Sequence, residues 1–99
     1  MDLVDIRKQI DEVDEQLVKL FCERMRLAAL AATAKWRQGL PLYDNLREEE
    51  ISERIAKLAG QEFSHYARRF FNTLFSISKD YQIQWAGTDK WPDNAINDQ

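Results

Sequence analysis

From Asp2 to Gln38 the chain carries neither Pro nor Gly, and its apolar residues recur at Ile6, Ile10, Val13, Leu17, Leu20, Leu27 and Ala31. Steps of four and three place these side chains on one face of an α-helix. At 1.5 Å per residue that helix runs about 55 Å, longer than a small domain is wide. Gly39 and Pro41 stop it, because a glycine takes the left-handed C-cap and a proline two residues on cannot continue the helix. The connector from Gly39 to Tyr43 is short and apolar enough to pack down.

Two shorter helices follow. Asp44 suits the N-cap of the second, with Glu48 and Glu49 near the positive end of its dipole. Ile51, Ile55 and Leu58 form its inner edge, and Gly60 closes it. Ser64 suits the cap of the third, with Ala67, Phe70, Phe71, Leu74, Ile77, Ser78 and Tyr81 along its inner side. From Gly87 onward Gly, Asp, Asn and Pro replace periodicity. That change predicts an ordered domain over 1–86 and a disordered or loosely packed tail over 87–99.

With no strand-like alternation and no repeat, the expected fold class is all-α: three helices, one long and two shorter. Two short helices cannot cover the whole apolar stripe of the long one, and the cheapest cover is a second copy of the chain. The expectation is therefore an intertwined homodimer, a six-helix bundle in which the long helices pair.

Composition adds limits. Ninety-nine residues, 44% hydrophobic and 31% charged, suit one small globular domain. No apolar run is long enough to span a bilayer, and the opening Met1-Asp-Leu-Val-Asp5 is acidic where a signal peptide is basic. The sequence thus predicts a cytoplasmic protein with no membrane partner. A net charge of −3 argues against nucleic acid, yet allows an anionic small molecule held by a few inward cations. Cys22 is alone and lies in no metal-ligand spacing, so it reads as a buried structural thiol. No metal or cofactor is called for.

The candidate chemistry lies where the apolar pattern breaks. Arg24 falls on the stripe between Leu20 and Leu27, and Lys35 lies four residues beyond Ala31. Eleven residues apart, the two share a face at about 16 Å. Arg47 and Glu48 sit one turn before Ile51, while Ser78 and Gln82 form an i, i+4 pair continuing the stripe of Phe71 and Leu74. Burying such groups without partners is costly. Arg47 or Lys35 can pair with Glu48, and Arg24 with a nearby acid. The cations still outnumber the acid, which points to a buried anionic ligand. Arg7, beside Ile6, lies about 26 Å along the helix from Arg24. It can reach a ligand held by Arg24 only from a second subunit. Arg68 and Arg69 read as outward-facing, and His65 has no triad or metal partner.

The ordered set Ile6-Arg7, Ile10-Asp11, Val13-Asp-Glu-Gln-Leu17, Glu23-Arg-Met25, Ala34-Lys35, Gly39-Leu-Pro-Leu-Tyr-Asp44, Arg47-Glu48 and Ser78-Lys-Asp-Tyr-Gln82 resembles the all-α (AroQ-type) chorismate mutases. The resemblance runs from about residue 3 to residue 84. The link from Gly60 to Ser64 is short for the family, and the tail has no counterpart. The resemblance implies that 1–86 is a type II chorismate mutase domain with the intertwined dimeric fold. It implies conversion of chorismate to prephenate, on the way to phenylalanine and tyrosine. That reaction is a Claisen rearrangement, which requires no nucleophile or general acid. The protein must hold a flexible dianion in its reactive conformer and stabilise charge on the ether oxygen.

Carried over residue by residue, the resemblance gives Arg24, and Arg7 of the partner subunit, the clamping of the two carboxylates, a task suited to a planar guanidinium. Lys35 and Gln82 match the donors to the ether oxygen. Glu48 matches the acceptor for the substrate hydroxyl, with the Asp44 backbone nearby. Ser78 matches a carboxylate donor, and Arg47 a further cation on the carboxylate side. The same scaffold serves isochorismate-pyruvate lyases and aminodeoxychorismate mutases; Asp44 and Glu48 favour the hydroxyl-bearing substrate. A non-catalytic helical dimer module is the alternative outside enzymes. Some stand-alone members also take a regulatory enzyme as partner.

Overall fold

The computed structural model describes residues 1–86, folded as α1 (Leu3–Gln38), α2 (Asn45–Ala59) and α3 (Ser64–Ala86). No strand occurs among the described residues, and the fold is all-α. The tail expected over 87–99 lies outside them.

Each helix boundary has a local cause. The Asp2 side chain accepts from the Asp5 N–H at 3.1 Å and caps α1. At the other end Gly39 adopts φ 69°, a left-handed conformation that costs an L side chain more than glycine. The Gly39 N–H then bonds the Trp36 carbonyl and the Leu40 N–H the Lys35 carbonyl, the paired closing bonds of a Schellman motif. Asp44 caps α2 by accepting from the Arg47 N–H at 3.0 Å. The link between α2 and α3 is a turn over 61–63, so its brevity is no obstacle. Ser64 is the first residue of α3, and its hydroxyl donates to the Gln61 carbonyl at 3.4 Å instead of capping the helix.

α3 is the element the other two share. It packs more extensively against α2 than against α1, which it meets at Arg24 and Ala28 among others. Ala32, Leu42, Leu74 and Phe75 are buried, and Leu42, at 1% exposed, shows the connector packed into this core. Phe71 and Phe75 meet edge to face at 6.1 Å between centroids. Arg68 does not face outward as expected. It reaches from α3 to α2, where it donates to the Ser52 hydroxyl at 3.4 Å and the Glu53 carboxylate at 3.3 Å.

Beyond this small core the molecule is open. Its long axis measures 55 Å, set by α1. Ile6, Ile10, Val13, Leu17 and Leu20 are all exposed within the single chain, Ile10 by 52%. The inner side expected of α3 also divides. Leu74 and Ser78 are buried, together with Phe75 and Gln82, whereas Phe70, Ile77 and Tyr81, at the outer edge of the same broad apolar surface, are exposed. Leu58 of α2 is 75% exposed, and Ile51 and Ile55 are half-buried. Cys22 is half-buried within the single chain, not buried as expected. No helix among the described residues is long and apolar enough to cross a membrane.

Candidate active site

A cavity of about 390 Å³ lies where the three helices and the connector meet. From α1 it is lined by Arg24, Leu27, Ala28, Ala31 and Lys35. The 4-3-4 spacing of Arg24, Ala28, Ala31 and Lys35 puts two long cations at the ends of one stripe and two methyl groups between them. The alanines leave room that larger side chains would fill. The connector contributes Leu42, Tyr43 and the capping Asp44; α2 adds Arg47, Glu48, Ile51 and Arg54. Phe75, Ser78, Lys79 and Gln82 close it from α3 on one face of that helix.

The structure thus gathers Arg24, Lys35, Asp44, Arg47, Glu48, Ser78 and Gln82 around one cavity. Arg7 does not join them; it lies on the exposed half of α1.

Several of these groups are already fixed. Arg24 Nη1 donates to Ser78 Oγ at 3.3 Å, and its guanidinium carbon lies 5.8 and 5.7 Å from the ring centroids of Phe71 and Phe75. Lys35 Nζ donates to the Leu42 carbonyl at 2.9 Å, and Gln82 Nε2 to the Ala28 carbonyl at 3.0 Å. The pairings expected from sequence are not the ones formed. Glu48 pairs with Lys79 at 3.1 Å, not with Arg47 or Lys35. Arg47 makes an exposed pair with Glu50 at 3.6 Å. Arg24 has no carboxylate partner among the described residues.

The cavity is consequently cationic. Arg24, Lys35, Arg47, Arg54 and Lys79 face Asp44 and Glu48, an excess of three positive charges. Burial, and after it the like charge of Arg47, hold the Arg24 pKa below its ordinary value, with Glu48 partly offsetting them. A bound anion would oppose both causes by favouring the charged guanidinium.

Two lining residues were missed in sequence. Lys79 follows Ser78 and precedes Gln82 by three positions, and Arg54 lies two turns beyond Arg47. Those offsets alone could have placed both at the edge of the site.

Inner polar residues that converge on a cationic cavity within the size range of small-molecule sites have the charge and dimensions to suit a compact organic anion. The chain belongs to the type II chorismate mutase family, whose model matches residues 6–83, and it is an isomerase. It is 36% identical over 85 residues to a chorismate mutase of Methanocaldococcus jannaschii, covering 84% of this chain and 86% of that one. The T-protein of Haemophilus influenzae is 39% identical over 93 residues, covering 88% of this chain and 25% of that protein. The bifunctional chorismate mutase/prephenate dehydratase of Aquifex aeolicus is 28% identical over 95 residues, 87% of this chain and 26% of that protein. The chain therefore spans most of the first relative and about a quarter of the other two. No solved structure matches it significantly.

Proposed function

We propose that this chain rearranges chorismate to prephenate in aromatic amino acid biosynthesis, as a cytoplasmic, intertwined homodimer with residues 1–86 as its catalytic domain. The observation that carries the proposal is the half-buried Arg24, without an ion-paired carboxylate among the described residues and set at one end of an alanine-floored, cationic cavity.

The reaction breaks the ether C–O bond and forms a C–C bond within one molecule, with no proton transferred and nothing lost. What it asks of a protein is conformation and charge. Arg24 takes one substrate carboxylate through its planar fork, and Ser78, already bonded to Arg24, donates beside it. Arg47 supplies further positive charge at the α2 side. Lys35 has three N–H donors and commits one to Leu42; the bond fixes the ammonium while others remain for the ether oxygen. Gln82 does the same, with one amide hydrogen on Ala28 and the second free to point inward. Donors anchored beforehand need no reorganisation as negative charge grows on that oxygen. Glu48 accepts from the ring hydroxyl, next to the Asp44 backbone.

The second carboxylate falls to Arg7 of the partner subunit. The exposed stripe of Ile6, Ile10, Val13, Leu17 and Leu20 and the exposed Phe70, Ile77 and Tyr81 of α3 support pairing of two chains. An antiparallel-like pairing of long helices would bring the partner's Arg7 towards the cavity. A regulatory enzyme partner belongs to the same reading, since bifunctional relatives carry a second activity on the same chain.

The test is loss of chorismate's ultraviolet absorbance on adding purified protein, with products identified and Lys35→Ala run alongside. Conversion to prephenate that collapses in the variant is the expected result. Pyruvate released from isochorismate alone would move the assignment to the lyase.

A further inference from the structure

Among the cavity contacts one joins α2 to α3 and has no part in the scheme above. Lys79 Nζ lies 3.1 Å from Glu48 Oε1, and the two side chains are only 33% and 27% exposed. The same ammonium sits 5.6 Å from the centroid of the Tyr43 ring, so the connector holds it from a second direction. The cavity's other charged groups around Glu48 are Arg24 and Lys35 from α1, Arg47 and Arg54 from its own helix, and Asp44 at the cap. Among the described residues Lys79 alone forms an ion pair with it.

We propose that Lys79 is a positioning residue that sets what Glu48 accepts from: by occupying Oε1 it offsets the carboxylate charge and leaves Oε2 for an uncharged hydroxyl, disfavouring an ammonium at the same ring position. The inference rests on the proposed role of Glu48. A carboxylate already paired in a partly desolvated site gains less from a second cation than a free carboxylate would, because Lys79 on the neighbouring oxygen repels that cation across a few ångströms. A hydroxyl carries no net charge and keeps most of its hydrogen bond to Oε2. The pair is thus a filter between two substrates of the same shape: a dianion bearing a hydroxyl, and its analogue bearing a protonated amine.

Lys79→Met keeps the length of the stem and removes the charge. Compare kcat/KM for chorismate with the affinity of 4-amino-4-deoxychorismate as a competing ligand, in the wild type, Lys79→Met, Lys79→Arg, Glu48→Gln and the Lys79→Met/Glu48→Gln double variant. Loss of one cavity cation weakens the doubly charged chorismate more than its singly charged amino analogue through general electrostatics, and that part of any shift persists in the Glu48→Gln background, so the double variant isolates the part that runs through Glu48. The expected result is a shift of that ratio towards the amine by about tenfold or more in Lys79→Met. Lys79→Arg should restore it, and the step from Glu48→Gln to the double variant should show a much smaller shift than the step from wild type to Lys79→Met; equal steps would mean general electrostatics alone and overturn the filter. A residue that merely braced the fold would leave the ratio unmoved. An unchanged ratio in Lys79→Met, while Glu48→Gln still depresses chorismate turnover, overturns the filter and leaves the Glu48 role standing. Full chorismate turnover in Glu48→Gln overturns both. Lys79→Gln provides the same readout should the thioether disturb packing.

Discussion

Arg24 and Ser78, separated by 54 positions in sequence, are joined by a 3.3 Å hydrogen bond across the contact of α1 with α3. The hydroxyl orients the guanidinium but brings no negative charge to it. Phe71 and Phe75 lie close by, and their faces attract the cation without neutralising it. The site therefore carries a charge that is held in place and left unbalanced.

One prediction follows from that imbalance. Burial lowers the Arg24 pKa, so the fold favours the charged form less than the unfolded chain does. The cost is present at every pH below the lowered pKa, which includes the neutral range, and disappears only as pH rises through it. Arg24→Met should therefore raise the thermal midpoint of the unliganded protein by a few degrees while abolishing turnover. Thermal denaturation beside kcat/KM is the check. A variant that is both inactive and much less stable would show that Arg24 holds the fold together.

Lys35 is tied to the connector through the Leu42 carbonyl, which fixes its ammonium near the cavity. Lys35→Ala should lower kcat by ~10²–10³, the loss typical of one preorganised donor, with a smaller effect on KM. A fall of less than tenfold would remove Lys35 from the reacting oxygen.

The floor between Arg24 and Lys35 consists of Ala28 and Ala31. Ala31→Leu should occupy part of the cavity and raise KM by about tenfold or more, since affinity falls tenfold for each 1.4 kcal/mol of clash or lost contact. Helix content by circular dichroism should stay at the wild-type level. Unchanged KM would place the substrate elsewhere.

Arg7 and Arg24 are too far apart along α1 to serve one ligand within a chain. Chains carrying Arg7→Ala mixed with chains carrying Arg24→Ala should regain activity, because each heterodimer has one site with both arginines intact. Assay after mixing and refolding is the measurement. Persistent inactivity would mean that Arg7 does not act across the interface.

Leu17, on the exposed stripe, should tolerate no charge if the long helices pair. Leu17→Asp should shift the protein from dimer to monomer in analytical ultracentrifugation and remove most of its activity. An active monomer would exclude the intertwined arrangement.

Much of this was legible in the chain itself. Gly39 and Asp44 marked helix ends because capping depends on residues close in sequence, and the rows Arg24–Lys35 and Ser78–Gln82 marked the cavity walls because helical period alone puts them on shared faces. The partners were not legible. Glu48 meets Lys79, and Arg68 meets Glu53, only once the rotation of α3 about its axis is fixed. Apolar period does not fix that rotation when the apolar surface of a helix is broad, running here from Phe70, Ile77 and Tyr81 through Leu74 to Phe75. Burial on the wrong face was therefore an available reading until α3 was seen against both neighbours.

The uncovered half of α1 reaches beyond architecture into how the protein responds to its own abundance. If chains must meet before an Arg7 can complete a cavity, activity per chain falls on dilution once the concentration drops below the dimer's dissociation constant. A substrate gripped by both chains opposes that loss, since whatever binds only the assembled form draws the equilibrium towards it. Scarce protein with abundant substrate would then be held together by the molecule it transforms, and the progress curve of a very dilute sample would begin with a lag.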